Sequence, residues 1–292
     1  MKRTLNALFP ILAIALFLVF ISDSAAYMAV FLDGITIWAY NVLPAIFPFA
    51  VLFALATKPL MRCKTSLSAK LFNCDCDTAF LCSLVCGYPI GSKLISECNA
   101  DEDAIARASS FCSSPAPIFL IATVGKLLAS VKATLILLIS NLLAVFLNGF
   151  THKNKTRTKL SIEQNNSTFG DIVTSSVLAS LTVGGLIALF YMLSAMLKSF
   201  LPNGLSNSAC MGFAFGLLEM TGGIIQVCQT ADIKTATVLC CALTSFGGMC
   251  VILQSYAFLS TKKMKMRNLF LQKITQCCYC TLCGFILSLL FL

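Results

Sequence analysis

Apolar runs dominate this chain, and they are too long and too closely spaced for a water-soluble core. They occupy approximately residues 5–21, 29–57, 79–96, 111–129, 133–150, 172–200, 208–228, 235–259 and 268–292. About 20 apolar residues carry an α-helix across the hydrocarbon of a bilayer, and in lipid every backbone polar group must be paired within its own segment. Only 11% of the residues are charged, where a soluble domain carries about a quarter. The sequence lacks the alternating ten-residue pattern of an outer-membrane barrel. The expected class is an all-α polytopic membrane protein, with the lipid bilayer as its first partner.

The net charge of +9 does not indicate nucleic acid. The basic residues lie in short clusters between apolar runs, as the positive-inside rule expects, and no basic face is interleaved with aromatics. The 16 cysteines do not suit a small, loop-rich disulfide scaffold. Most sit inside apolar runs, where a thiol behaves as a small hydrophobe. This includes "CCYCTLC" (277–283), which reads as helix filler rather than a metal site. Cys74 and Cys76 read as a pair in a solvated loop, and the single histidine, His152, as a solvated loop residue. With no other histidine, a His-based triad or metal cluster is excluded. The expectation is no enzyme, no metal and no cofactor other than a coupling proton or sodium ion. Residues 1–28 have the layout of a signal peptide, with Lys2 and Arg3 before an apolar run, but the run from Leu5 to Ile21 is long for that role and another apolar segment follows at once, so an uncleaved N-terminal transmembrane helix is expected.

The longest polar break, residues 151–168, divides the rest into two halves, 29–150 and 169–292, which resemble each other. "NVLPAIFPFAVLFAL" (41–55) matches "SVLASLTVGGLIALF" (176–190). "FLCSLVCGYPIGSKLI" (80–95) matches "GFAFGLLEMTGGIIQV" (212–227), and "FCSSPAPIFLI" (111–121) matches "LTSFGGMCVIL" (243–253). Order and spacing are kept, which is the mark of an internal repeat. Placing the basic clusters at 58–70, 151–160 and 262–267 on the cytoplasmic side requires an even number of crossings between 70 and 151, yet three runs lie there. The run 79–96 is short and broken by Gly87, Pro89 and Gly91, so it is expected to enter and leave on one side as a re-entrant hairpin. By the same count, 208–228 is the second hairpin, broken at Gly222-Gly223. The two halves are then inverted in the membrane.

The run after each hairpin is also interrupted, by "SSPAP" (113–117) and "SFGGM" (245–249). Paired hairpins and broken helices across an inverted repeat point to a transporter binding site near the midplane. In the first hairpin, Gly87 and Gly91 let the chain turn, Pro89 fixes the turn, and Ser92 and Lys93 open the second half-helix, where the dipole favours an anion. Tyr88 reads equally as a ring that stacks on a flat ligand and as a tyrosine of the membrane interface. The competing reading of Lys93 is an i,i+4 pair with Glu97 near the membrane surface. In the second hairpin, Glu219 is read either as a proton or sodium site or as the partner of a buried cation, with Thr221, Gly222, Gly223 and Gln226 beside it. Ser113, Ser114 and Ser245 are candidate caps at the helix breaks, where Gly247 and Gly248 complete the expected binding set. Pro44 and Pro48 are expected to kink the preceding helix.

The motifs "GYPIGSKLISE", "SFCSSPAPIFLIATVG", "GLLEMTGGI" and "SFGGMCVILQS" resemble those of the sporulation integral membrane protein YlbJ (SpoVV) family, which carries the nucleoside-recognition, or Gate, domain. The resemblance runs from about residue 35 to about 259. It implies transport of dipicolinic acid during sporulation, across the outer forespore membrane. The arrangement is also similar to that of concentrative nucleoside transporters, an analogy that bears on fold more than substrate. The sequence keeps open a cation-coupled nucleoside or other small-solute transporter, a non-transporting membrane scaffold, and self-association into a homo-oligomer.

Overall fold

The computed structural model describes residues 2–60, 66–162, 168–202 and 207–292. Arg62 and Lys64, and residues 163–167 of the central break, lie outside them. Helix α1 (Lys2–Ser22) ends at Asp23, whose carboxylate caps α2 (Ser24–Ile37). A π-helical turn (Trp38–Val42) leads from α2 into α3 (Leu43–Leu60), which contains Pro44 and Pro48. Four helical stretches among the described residues are long and apolar enough to cross a membrane: Val131–Thr151, Phe169–Lys198, Ile233–Lys262 and Met266–Phe291. The bent pair Ala13–Ser22 and Ser24–Val42, at 106° to each other, makes a fifth if it is one span. The chain is an all-α, multi-pass membrane protein.

Between α3 and the first long span the chain forms short helices: α4 (Leu67–Phe72), α5 (Asp77–Cys86), α6 (Ile90–Ser96), α7 (Glu102–Phe111), α8 (Pro117–Phe119) and, after a π-helical turn, α9 (Gly125–Leu128). Helices α5 and α6 pack side by side as a hairpin. Its two ends are held by one segment of chain, since Cys74-Asp75 pairs with Thr158-Lys159 and Cys98-Asn99 pairs with Ser161-Ile162. The hairpin therefore starts and finishes at the same end of the molecule. Cys74 and Cys76 are buried there. They belong to the packed base of the hairpin and not to a solvated loop, because the strand pairings draw this segment under the 158–162 chain. His152 is also only half exposed: its Nε2 lies 3.2 Å from Thr275 Oγ1.

The long helix α10 (Val131–Thr151) ends the first half. The second half contains α11 (Phe169–Lys198), the hairpin α12 (Ala209–Gly216) and α13 (Met220–Thr230), then α14 (Ile233–Phe246), α15 (Gly248–Leu259) and α16 (Met266–Phe291). Most of these helices start at a side-chain cap. Ser130, Ser208 and Asp232 each accept a bond from an amide of the first turn, and Thr168 and Asp171 form a reciprocal capping box. These caps satisfy amides that no intrahelical carbonyl can reach.

The breaks are in part not where the sequence places them. In the first hairpin the helix stops at Cys86 and resumes at Ile90, so Gly91 lies within α6, where an added Cβ would stand 2.0 Å from the Cys112 carbonyl oxygen. In the second hairpin the break is Leu217–Glu219, and Gly222 and Gly223 lie in the first turn of α13. Gly223 is small for contact and not for flexibility: a Cβ there would lie 2.2 Å from the Gly216 Cα, so the two arms touch backbone to backbone. This is the close approach that small residues permit where lipid gives no hydrophobic drive for helix association.

Each hairpin tip docks on the helix break of its own half. In the first half the Tyr88 amide donates to the Ser114 carbonyl at 2.7 Å, and Ser114 Oγ donates to the Ser83 carbonyl at 2.9 Å. In the second, the Met249 and Cys250 amides, at the start of α15, donate to the Leu217 and Leu218 carbonyls at 2.8 and 3.0 Å. Interrupting a helix in lipid strands backbone groups; here tip and break satisfy one another. Ser114 and Ser245 are thus not helix caps. Ser245 Oγ bonds back to the Cys241 carbonyl inside α14, and the Ser113 hydroxyl has no protein partner.

Candidate functional site

The two hairpins meet at their tips. Tyr88 Oη lies 3.0 Å from Met220 Sδ and donates to the Thr244 carbonyl at 3.2 Å. One side chain thereby links the first hairpin, the second hairpin and the second broken helix. Beside this junction is a narrow cavity of about 40 Å³, measured to the centres of the water molecules it would admit. Its walls are mostly apolar: Val42 and Ile46 before and within α3, Val183 and Ile187 of α11, and Phe119 after the first break. The polar exceptions are Tyr88, Thr221, Gln254 and Glu219.

Glu219 is the buried acid of this centre, 3% exposed. It occupies the N-cap position of α13, with Oε1 accepting from the Thr221 amide and Oε2 from the Gly222 amide, both at 2.8 Å. Two donated bonds and the positive end of a helix offset part of what it costs to hold a carboxylate away from water. Its other side faces a second, roomier cavity of about 600 Å³ between α2, α11 and the second hairpin, together with Asp33, Tyr191 and Lys198. Lys198 Nζ donates to Gln226 Oε1 at 2.8 Å, and Gln226 Nε2 to the Ser208 carbonyl at 2.9 Å. Glu219 is therefore the partition between a tight inner space and a polar outer one.

The residues expected from the sequence are distributed unevenly about this centre. Tyr88, Glu219 and Thr221 line the inner cavity, and Glu219, Gly222, Gly223 and Gln226 the outer one. Gly87 (φ 74°) and Pro89 shape the first tip, and Gly247 (φ 80°) and Gly248 (φ 74°) form the turn between α14 and α15. Ser92 is buried with an unpartnered hydroxyl. Lys93 is not at the positive end of a half-helix. Helix α6 has seven residues, so its fourth residue already belongs to the last turn. Lys93 is half-buried there and lines neither cavity; Glu97, the residue it was paired with, is exposed one turn further on.

The cation next to the tip junction is Lys273, which the sequence reading passed over and which, like Lys93, lines neither cavity. It sits in α16, 1% exposed, with Nζ donating to the Ser113 carbonyl at 2.9 Å and to Gln276 Oε1 at 3.3 Å, and standing 5.2 Å from the centroid of the Tyr88 ring. The signal was present: "LQKITQ" (271–276) places a lysine and two glutamines in an otherwise apolar run, and an ionisable residue within a span is by default a functional candidate. The polar face of α16 is anchored on α7, with Gln272 Oε1 accepting from Ser109 Oγ at 2.8 Å and Gln272 Nε2 donating to the Ala106 carbonyl at 2.7 Å.

No group of three or more histidine, cysteine, aspartate or glutamate side chains among the described residues is arranged to hold a metal ion. The "CCYCTLC" cysteines are spread around α16, with Cys280 buried and Cys278 exposed. No family model, curated protein or solved structure matches the chain.

Proposed function

We propose that this chain is a transporter of a small anionic metabolite and not an enzyme. The observation that carries the reading is the meeting of two hairpin tips, each docked on a helix break of its own half, around a cavity whose wall includes the buried carboxylate Glu219. Helix ends, freed carbonyls and an acid brought to one interior point are the groups from which a membrane protein builds a solute site. In this reading the hairpins are re-entrant, the halves 29–150 and 169–292 are inverted repeats, and residues 151–168 are a cytoplasmic linker. The small inner cavity belongs to a closed state. Glu219, facing both spaces, is the group through which a proton or sodium ion couples to the solute.

The resemblance to the YlbJ (SpoVV) family supports dipicolinic acid as that metabolite and the outer forespore membrane as the location. An uncharged nucleoside is the alternative solute. A membrane scaffold is a second reading, favoured by the tightness of the inner cavity, because packed hairpins need no space between them. Proteoliposomes separate these readings. Uptake of radiolabelled dipicolinate, with uridine as the uncharged comparison, is the expected result. Uptake of uridine alone selects the alternative solute, and uptake of neither, from correctly folded protein with or without a proton or sodium gradient, leaves the scaffold.

A further inference from the structure

The surroundings of Lys273 have an unusual chemical balance. Its ammonium has three N–H bonds, two of which go to the Ser113 carbonyl and Gln276 Oε1. Both partners hold a second polar atom close by, and both of those atoms are buried without a protein partner: Ser113 Oγ and Gln276 Nε2. Covalent geometry keeps Gln276 Nε2 within a few ångströms of the Oε1 that touches Lys273, and Ser113 Oγ on the same residue as the bonded carbonyl. The three residues are 1 or 2% exposed. Among the described residues the one ion pair is Lys265 with Glu102, at the surface, so Lys273 has no carboxylate of its own. A spare N–H on the ammonium, a hydroxyl and an amide NH₂ therefore gather in a dry place with donors to offer. A carboxylate only accepts, through two oxygens, and it is the group that completes such a set.

The position relative to the solute cavity is equally specific. Tyr88 lines that cavity, and Lys273 stands over the Tyr88 ring. Tyr88 thus belongs both to the cavity wall and to the surroundings of the ammonium, and the negative face of its ring partly compensates the charge. Two hydrogen-bond partners, the Met220 sulfur and the Thr244 carbonyl, hold the phenol in that position, and both belong to the second half of the chain.

We propose that Lys273, Ser113 and Gln276 form an anion subsite that receives a carboxylate of the transported solute, with Tyr88 as the side chain that covers it until the two hairpin tips separate. The inference rests on the transport reading and assigns charge recognition to Lys273 in place of Lys93. The α7 helix end adds a reason for a cation here: the Ser113 carbonyl lies just past its negative terminus.

The test uses the full chain in lipid nanodiscs and three probes: dipicolinate, its uncharged dimethyl ester, and uridine. A charge-assisted contact corresponds to about 10- to 150-fold in affinity, so Lys273→Met is expected to weaken dipicolinate by that factor and to leave the diester unchanged. Gln276→Leu, which keeps the cation, is expected to weaken dipicolinate by roughly three- to tenfold, the size of one neutral hydrogen bond. Unfolding temperatures of each variant accompany the binding data. Equal losses of dipicolinate and diester in Lys273→Met, or full dipicolinate affinity in Gln276→Leu, would make the lysine a strap on the end of α7 and overturn the proposal. Loss of dipicolinate in Lys93→Met with full binding in Lys273→Met overturns it as well, while leaving the transport reading intact. A wild-type protein that binds none of the probes removes that reading and this one together.

Discussion

Tyr88 and Met220, 132 positions apart in the chain, touch through the phenol oxygen and the thioether sulfur at the point where the two hairpins meet. Tyr88→Phe keeps the ring over Lys273 and removes the bonds to Met220 and the Thr244 carbonyl. The expected cost is about 1 kcal/mol of stability, with the tips parting more readily. Thermal unfolding in detergent measures the first effect. Faster reaction of a thiol placed at Thr221 with a small alkylating agent measures the second, and an unchanged rate would show that the phenol does not hold the tips together.

Glu219→Gln retains the shape of the capping side chain but not its charge. Coupling to a proton or sodium gradient is expected to disappear while protein abundance stays normal. Uptake into proteoliposomes with and without each gradient decides the matter. If the variant still responds to a gradient as wild type does, the carboxylate is only a cap for α13.

The two arms of the second hairpin give a stability contrast. Gly223→Ala places a methyl group against the Gly216 backbone, which cannot retreat as a side-chain tip does. A loss of about 3 kcal/mol, the upper part of the overpacking range, is expected. Gly185→Ala, in α11, meets nothing within 4 Å, and is expected to be neutral or to gain up to about 1 kcal/mol from helix propensity. Equal unfolding temperatures for the two variants would mean that the arms are not in backbone contact.

His152, the only histidine, gives an assignable pH dependence. Partial burial beside Thr275 holds its pKa below the usual value of 6.5, so the folded state prefers the neutral ring. Its contribution is fully present above that usual value. It declines as the pH falls from there toward the depressed folded pKa, because the unfolded chain takes up the proton first. His152→Gln is expected to flatten this part of the stability profile. An unaltered slope in the variant would place the titration elsewhere.

The topology is open to labelling on a cysteine-depleted background. Thiols introduced at Asp75 and Asn99, which sit in the paired strands at the two ends of the first hairpin, are expected to react from the same side of the membrane. Labelling from opposite sides would exclude a re-entrant first hairpin.

The apolar runs determined the class of this protein without help from the fold, since so many apolar residues between basic clusters have no soluble solution. They also located the first hairpin break, because Gly87 and Pro89 cannot continue a helix there at any level of structure. The second break was misplaced by three residues. Gly222-Gly223 reads as a breaker in one dimension, but glycine serves equally well to bring two helices into contact, and only the facing Gly216 distinguishes the two uses. Lys93 and Lys273 show the same limit for charge. Both are lysines in apolar surroundings, and the local sequence favours Lys93 because the break is adjacent. Which of them reaches the interior depends on the length of α6 and on the rotation of α16 against α7, quantities set by the packing of segments more than a hundred residues apart.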